Sequence, residues 1–294
     1  MIVTVETPRR AALPASRSRQ RTDSEPARAP VRKPRARATP VPTCIFCDRP
    51  SGRADYAWPE WLCHFLTDHL ARSGRDLRGD APSLERMRAE VEQTVDCVCD
   101  ACRDGWMRRL DESVSPFLGA MMLGEPTALP QVRRRFLARW SAKTAIVMEH
   151  AGDAAVRTPR FACEYLRRIG VHPGTQVLVG KYDGDGQVLT HERDLFSRTI
   201  DGKKHYLSQT SMVVGKLLIQ VFADPWRSSP PELADDGTQP LFALVPSHGR
   251  RVDWPPPVTV DDSLYDLVRH GALDDSPQPP GATPGLTAPN DPAA

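Results

Sequence analysis

Four of the seven cysteines of this chain fall in two short pairs, Cys44-Ile45-Phe46-Cys47 and Cys99-Asp100-Ala101-Cys102, with 51 residues between them. A C-x-x-C knuckle is a reverse turn that aims two sulfurs at one point. Two such knuckles supply the four soft, deprotonated donors that close a tetrahedral shell around one Zn²⁺ ion. The plainer alternative is that these cysteines are buried as small apolar side chains. Cys97 stands two residues before Cys99 and could replace it as a ligand, although only Cys99 and Cys102 keep the knuckle spacing. Cys63 and Cys163 sit within amphipathic helical patterns and are expected to pack. An odd cysteine count, without an apolar leader in residues 1–8, points away from a disulfide framework and toward a cytoplasmic metal-binding chain.

The residues around the knuckles carry a second signal. The run Ala54-Asp55-Tyr56-Ala57-Trp58-Pro59-Glu60-Trp61-Leu62 resembles the Glu-His-x-x-Pro-x-Trp-Leu motif of HNH-family endonucleases. Similarly, Val98-Cys99-Asp100-Ala101-Cys102-Arg103-Asp104-Gly105-Trp106-Met107 resembles that family's Cys-x-x-Cys-Asn-x-Gly-Trp. Segments Leu137–Ala145 and Trp254-Pro255-Pro256 resemble parts of its longer bacterial members, so the likeness spans roughly residues 43–270.

The resemblance implies a ββα-metal core with a structural zinc on Cys44, Cys47, Cys99 and Cys102. It also implies a separate Mg²⁺ or Mn²⁺ ion at the scissile phosphate of a DNA partner, with a histidine as general base. The metal-binding acid falls on Asp55 and the general base on Tyr56, a phenol whose reference pKa of ~10 makes it a poor base at neutral pH. The third chemical position falls on Arg103, whose guanidinium has no lone pair to offer a metal. Asp104, one residue on, could serve as a displaced ligand. The expectation is therefore a degenerate nuclease that binds nucleic acid, with Arg103, Arg108 and Arg109 meeting phosphates. Two alternatives stay open: an active metal-dependent nuclease with displaced ligands, and a zinc-stabilised scaffold for a protein partner.

The elements that must position these residues read as an α+β chain. Pro59 opens a helix with Trp61, Leu62, Phe65, Leu66 and Leu70 at helical spacing, and Gly74 stops it. A weaker helix is expected over 84–95. Another runs from Asp100 to Val114, where Ser115-Pro116 should break or kink it. The pattern over 131–150 predicts a helix with Val132, Phe136, Trp140 and Val147 on its apolar face and Arg135, Arg139 and Lys143 on another. After a helix at 158–169 the period changes. Gln176–Tyr182, Lys203–Thr210, Met212–Ala223 and Leu241–Val245 read as strands of an antiparallel sheet, and 260–270 as a last helix. Asp183-Gly184-Asp185-Gly186 is superficially a calcium loop, but Val188 and Asp194 stand where that loop needs Gly and Glu, so it reads as a tight turn.

The organisation expected is a basic arm at 1–42, a zinc-binding HNH-like module at 43–125, a helical and β-sheet region at 126–273 and a Pro-rich tail at 274–294. The arm holds ten Lys or Arg against three acids, and the tail six prolines and three aspartates, so neither has the apolar residues to build a core. The arm's charge near +7, against +2 for the whole chain, suits either a nucleic-acid partner or a solvated leader. No apolar run reaches the roughly 20 residues of a membrane helix, so no membrane partner is expected.

Overall fold

The computed structural model describes residues 42–72, 82–152, 157–200, 202–229, 240–246 and 252–270. The arm ahead of Pro42, most of the expected loop at 74–83 and the tail at 274–294 lie outside the described residues.

The first strand is two residues long. β1 (Asp55–Tyr56) pairs antiparallel with β2 (Thr94–Val95), and α1 (Glu60–Arg72) and α2 (Pro82–Val91) lie between them in sequence. Pro59 sits just ahead of α1, where its carbonyl accepts from the amides of Leu62 and Cys63. The helix then buries Leu62, Cys63, Leu66 and Leu70. The expected helix at 84–95 ends early, at Val91. The Ala57 amide bonds the Gln93 carbonyl at 2.9 Å, and the β-branched pair Thr94-Val95 extends to meet Asp55-Tyr56. Pairing with a distant strand overrides the local helical pattern.

A near-continuous helical run follows: α3 (Asp100–Cys102), a π-helical turn (Arg103–Met107) and α4 (Arg108–Met122). Gly105, with φ −92° and ψ −106°, opens the spiral at the π turn. The break expected at Ser115-Pro116 does not occur, and Pro116 lies inside α4. Proline costs ~3 kcal/mol or more in a helix interior. Here Val114, Phe117, Leu118, Met121 and Met122 are all buried around it, and at ~1.5–3 kcal/mol for each buried large side chain their packing outweighs that cost.

β3 (Thr127–Leu129) leads into α5 (Gln131–Met148), and α6 (Arg160–Arg168) packs beside it. The apolar face of α5 differs from its sequence reading. Val132 and Phe136 are exposed, whereas Leu137, Ala138, Trp140, Ser141 and Thr144 through Met148 are buried. Of the predicted basic stripe, Arg135 is exposed, whereas Arg139 and Lys143 turn inward. Lys143 donates to Asp111 of α4 at 3.0 Å, and the Trp140 indole N–H donates to the same carboxylate oxygen at 2.8 Å. Arg139 reaches the last carbonyls of α6, those of Leu166 and Arg167, at 3.1 and 2.7 Å. It thereby satisfies acceptors that a helix end leaves without intrahelical donors.

The remaining strands are β4 (Thr175–Tyr182), β5 (Leu189–Ile200), β6 (Lys203–Val214), β7 (Leu217–Ala223), β8 (Phe242–Val245), β9 (Val252–Trp254) and β10 (Thr259–Val260), followed by α7 (Asp262–His270). Six of them form one sheet in the order β10-β4-β7-β6-β5, with β8 also paired to β4; β9 pairs with β3. The sheet is antiparallel except at β10, which runs parallel to β4. Alternation sends Val177, Val179, Met212, Val214, Ile219 and Val221 to the main core and Val213 and Leu218 to a smaller core with Tyr265 of α7. Buried Gln209 and Gln220 lie on the α7 side and donate to the Val268 carbonyl at the end of that helix.

Two local features complete the frame. The strand expected at Met212–Ala223 is divided at Gly215, whose φ of +59° turns the chain from β6 into β7. A Cβ there would stand 2.4 Å from the Met122 carbonyl oxygen, so the turn fits against the end of α4 only with glycine. The Asp183–Gly186 segment is a turn, as its sequence predicts. It folds around the Asp262 carboxylate, which accepts from the Asp185 and Gly186 amides and from the Tyr182 hydroxyl. Among the described residues, no helix is long and apolar enough to cross a membrane.

Asp111 joins α4 to Lys143, whose side chain is 4% exposed. Asp111→Ala leaves that ammonium buried without its partner. It is expected to cost about 3 kcal/mol in denaturant unfolding, with part of the loss recovered when Lys143→Met is added.

Candidate metal centre and the adjoining acidic site

The first knuckle is built by its own backbone. The Cys44 amide donates to the Arg49 carbonyl at 2.9 Å, the Cys47 amide to the Cys44 carbonyl at 3.3 Å, and Thr43 bridges to Pro50. The second knuckle opens a helix. Cys99 has extended backbone (φ −79°, ψ 154°), and its carbonyl accepts from Cys102 and Arg103, which closes the turn between the two cysteines. Two backbone bonds clamp the knuckles together: Ile45 amide to Cys97 carbonyl at 3.0 Å, and Gly52 amide to Val98 carbonyl at 2.9 Å.

The Sγ atoms of Cys44, Cys47, Cys99 and Cys102 all lie within 4.8 Å of one another. Cys47 is 3.6 Å from Cys99 and 3.7 Å from Cys102. Disulfide bonding requires about 2.0 Å, and all seven cysteines are free. Zn–S bonds of roughly 2.3 Å in a tetrahedron place the sulfurs roughly 3.8 Å apart, which these separations match. The four cysteines could therefore hold a metal ion such as zinc.

Burial raises the Cys99 and Cys102 thiols; a charge on Cys44 would raise Cys102 further. At Cys47 burial also raises, but the Arg49 backbone N–H and the neighbouring thiols outweigh it and lower the group. Four crowded sulfurs of this kind can share negative charge only around a cation. Phe46 and Trp106, edge to face at 5.0 Å, lie beside the knuckles, with Arg139 over the Trp106 ring at 5.4 Å.

Of the two residues that sequence left open, Cys99 is in the cluster and Cys97 is not. Cys97 contributes its carbonyl instead. Burial pushes its thiol up to about 12, that of Cys163 to about 12 and that of Cys63 to about 11, as suits cysteines that pack.

Asp55 of β1 and Arg103 of the π turn, 48 residues apart, come together. Arg103 Nη1 lies 2.9 Å from Asp55 Oδ2, and the other guanidinium nitrogen pairs with Asp100. The Arg103 side chain is 18% exposed. Tyr56 is exposed, and its amide donates to the Asp55 side chain at 2.9 Å. Asp104 is exposed on the π turn. Arg108 and Arg109 are exposed at the start of α4, Arg108 donating to Glu112 at 3.1 Å. His64 points to solvent on α1 near Glu60.

Sequence reasoning missed Glu90. Its buried carboxylate accepts from the Trp58 indole at 2.9 Å and lies 2.8 Å from His191 Nδ1 on β5. Trp58 belongs to the motif after β1, so this acid links that motif to the sheet. The only sequence signal was a buried indole N–H in need of an acceptor.

Cys47 alone among the seven cysteines is not buried, and its thiol is lowered, which predicts an order of alkylation. Brief treatment with iodoacetamide near neutral pH as EDTA is added should label Cys47 first, ahead of the six buried cysteines, as read by peptide mass spectrometry. Comparison of the chain with models of protein families, with curated proteins and with solved structures gives no match.

Proposed function

We propose that this chain is a zinc-bound, HNH-endonuclease-like protein that binds DNA and no longer cleaves it. The observation that carries the reading is the ion pair between Arg103 and Asp55, 2.9 Å across. In the family it resembles, the acid after the first knuckle and the residue after the last cysteine hold a divalent metal between them. In this chain a guanidinium fixed to the protein meets the acid directly, and its positive charge opposes a cation at that place. Tyr56, at the position of the general base, is a phenol on the surface. The order of β1, β2 and a helix that begins at the second knuckle supports the same reading.

The zinc would be structural. Its four sulfur donors leave no open coordination position for water, so it contributes folding free energy rather than chemistry. DNA contact would fall to the exposed start of α4, where Arg108 and Arg109 project. Phosphate binding at Arg103 itself would first have to displace Asp55 and Asp100.

Metal analysis of the purified protein is expected to give one zinc per chain, and Cys44→Ser to release it and unfold the surrounding segment. Protein that is folded and free of zinc would overturn the metal assignment. In a plasmid assay with Mg²⁺ or Mn²⁺, the natural sequence is expected to show no cleavage. Tyr56→His with Arg103→Asn should restore some, and either change alone little, because base and metal act as a unit. Cutting by the unmodified protein that Asp55→Ala abolishes would establish the active-nuclease alternative.

A further inference from the structure

An open cleft of about 120 Å³ lies on the side of the molecule formed by the start of α6, β5 and β6 and the end of β7. It is lined by Arg157, Arg193, Lys204, His205, Tyr206 and Trp226, together with aliphatic side chains and two hydroxyl residues. Large aromatic surface is left facing water here: Trp226 is 47% exposed, Tyr206 39%, and neighbouring Phe161 45%. The rings touch edge to face, His205 with Trp226 at 4.8 Å and Trp226 with Phe161 at 5.3 Å. Lys204 holds its ammonium 5.4 Å from the centre of the Tyr206 ring.

The aromatic wall stands on a fixed turn. The Trp226 amide donates to the Asp224 side chain at 3.2 Å, and the Asp224 amide donates to the Gly174 carbonyl at 3.0 Å. A Cβ at Gly174 would stand 2.0 Å from the Asp224 carbonyl oxygen, so the two segments are in direct backbone contact. A half-exposed indole presented this way has little freedom left to lose when something stacks on it.

The charge is as one-sided as the aromatic content. None of the residues lining the cleft is acidic. Arg193 donates to buried Glu149 at 3.1 Å, which balances that guanidinium from behind. Arg157 and Lys204 are both exposed at the rim. Cations at a rim with aromatic faces between them suit a ligand that carries phosphate and a flat ring together. That ligand is a nucleotide with its base unstacked from its neighbours, because a duplex keeps its base faces covered.

We propose that this cleft binds a nucleotide unit of single-stranded nucleic acid, its base against Trp226 and its phosphates on Arg157 and Lys204. The site is separate from Arg108 and Arg109, and it stands whether or not the HNH-like reading of the zinc-side residues holds. The same base-and-phosphate chemistry could come from a free nucleotide, so the test compares the two sources.

The experiment uses the full chain with a fluorescein-labelled oligothymidylate, followed by anisotropy over a salt series. Thymidine monophosphate serves as competitor and a labelled duplex as a second probe. Binding of the oligothymidylate is expected. Trp226→Ala should weaken it about tenfold, the scale of one lost base–aromatic stack, while Trp226→Phe keeps most of the affinity. Lys204→Ala should lower the slope of log affinity against log salt by about 0.7, as one lost phosphate contact on a single strand does. No oligothymidylate binding, or unchanged binding in both Trp226→Ala and Lys204→Ala, would overturn the proposal; so would thymidine monophosphate competing as well as the strand. Loss of duplex binding alone in Arg108→Glu/Arg109→Glu bears on the function proposed for the zinc-side residues and leaves this cleft untouched.

Discussion

Four sulfurs meeting within 4.8 Å are the constraint on which the N-terminal half of this fold rests. The knuckles are far apart in sequence, and each is held by only a few backbone hydrogen bonds of its own. Burial raises Cys99 and Cys102 and keeps them as neutral thiols, and a thiolate at one position disfavours a thiolate at the next. Four thiolates at this spacing would be held together by a cation at their centre. The position of Cys99 then sets the start of the helical run from α3 through α4. That run in turn carries Asp111, the partner of Lys143 and Trp140 on α5.

A set of charged or strongly polar contacts then fastens segments distant in sequence. Glu90 joins Trp58 to His191 on β5. Glu149 receives the Thr158 amide and hydroxyl and the Arg193 guanidinium, which ties the end of α5 to the approach to α6 and to β5. Asp262 is the centre around which the turn between β4 and β5 folds. The Glu90 and Glu149 contacts neutralise or satisfy carboxylates that would be costly to bury alone. Their worth is therefore asymmetric: removing one partner is far more damaging than the net strength of the pair would suggest.

The sheet has covered faces on both sides, with the main core on one and α7 on the other. This is why strands such as Leu217–Ala223 read as nearly continuous apolar runs rather than alternating ones. The exception is the end of the sheet near Lys204, where aromatic and basic side chains face solvent. The cleft proposed to bind nucleic acid lies where the packing stops.

By itself the sequence picked out the two cysteine pairs that the fold brings together, and it determined the α+β class, α1, α5, α6 and the turn nature of Asp183–Gly186. These depend on spacing, periodicity and turn chemistry within a few residues, which a linear reading can see. It missed β5, whose His-Glu-Arg-Asp stretch lacks an apolar rhythm because Glu192 and Arg193 are paired across the fold with Arg269 and Glu149. It also placed Val132 and Phe136 on the apolar face with Trp140 and Val147, yet only the latter two are buried, and Lys143 is buried as well, because helical periodicity alone does not fix how far along the helix that face is covered. Whether Pro116 ends a helix, whether Thr94-Val95 is helix or strand, and where Arg103 puts its charge were decided by tertiary contacts alone. In each case a partner distant in sequence offered more than the local preference it overrode: a hydrophobic surround, a strand edge, the Asp55 carboxylate.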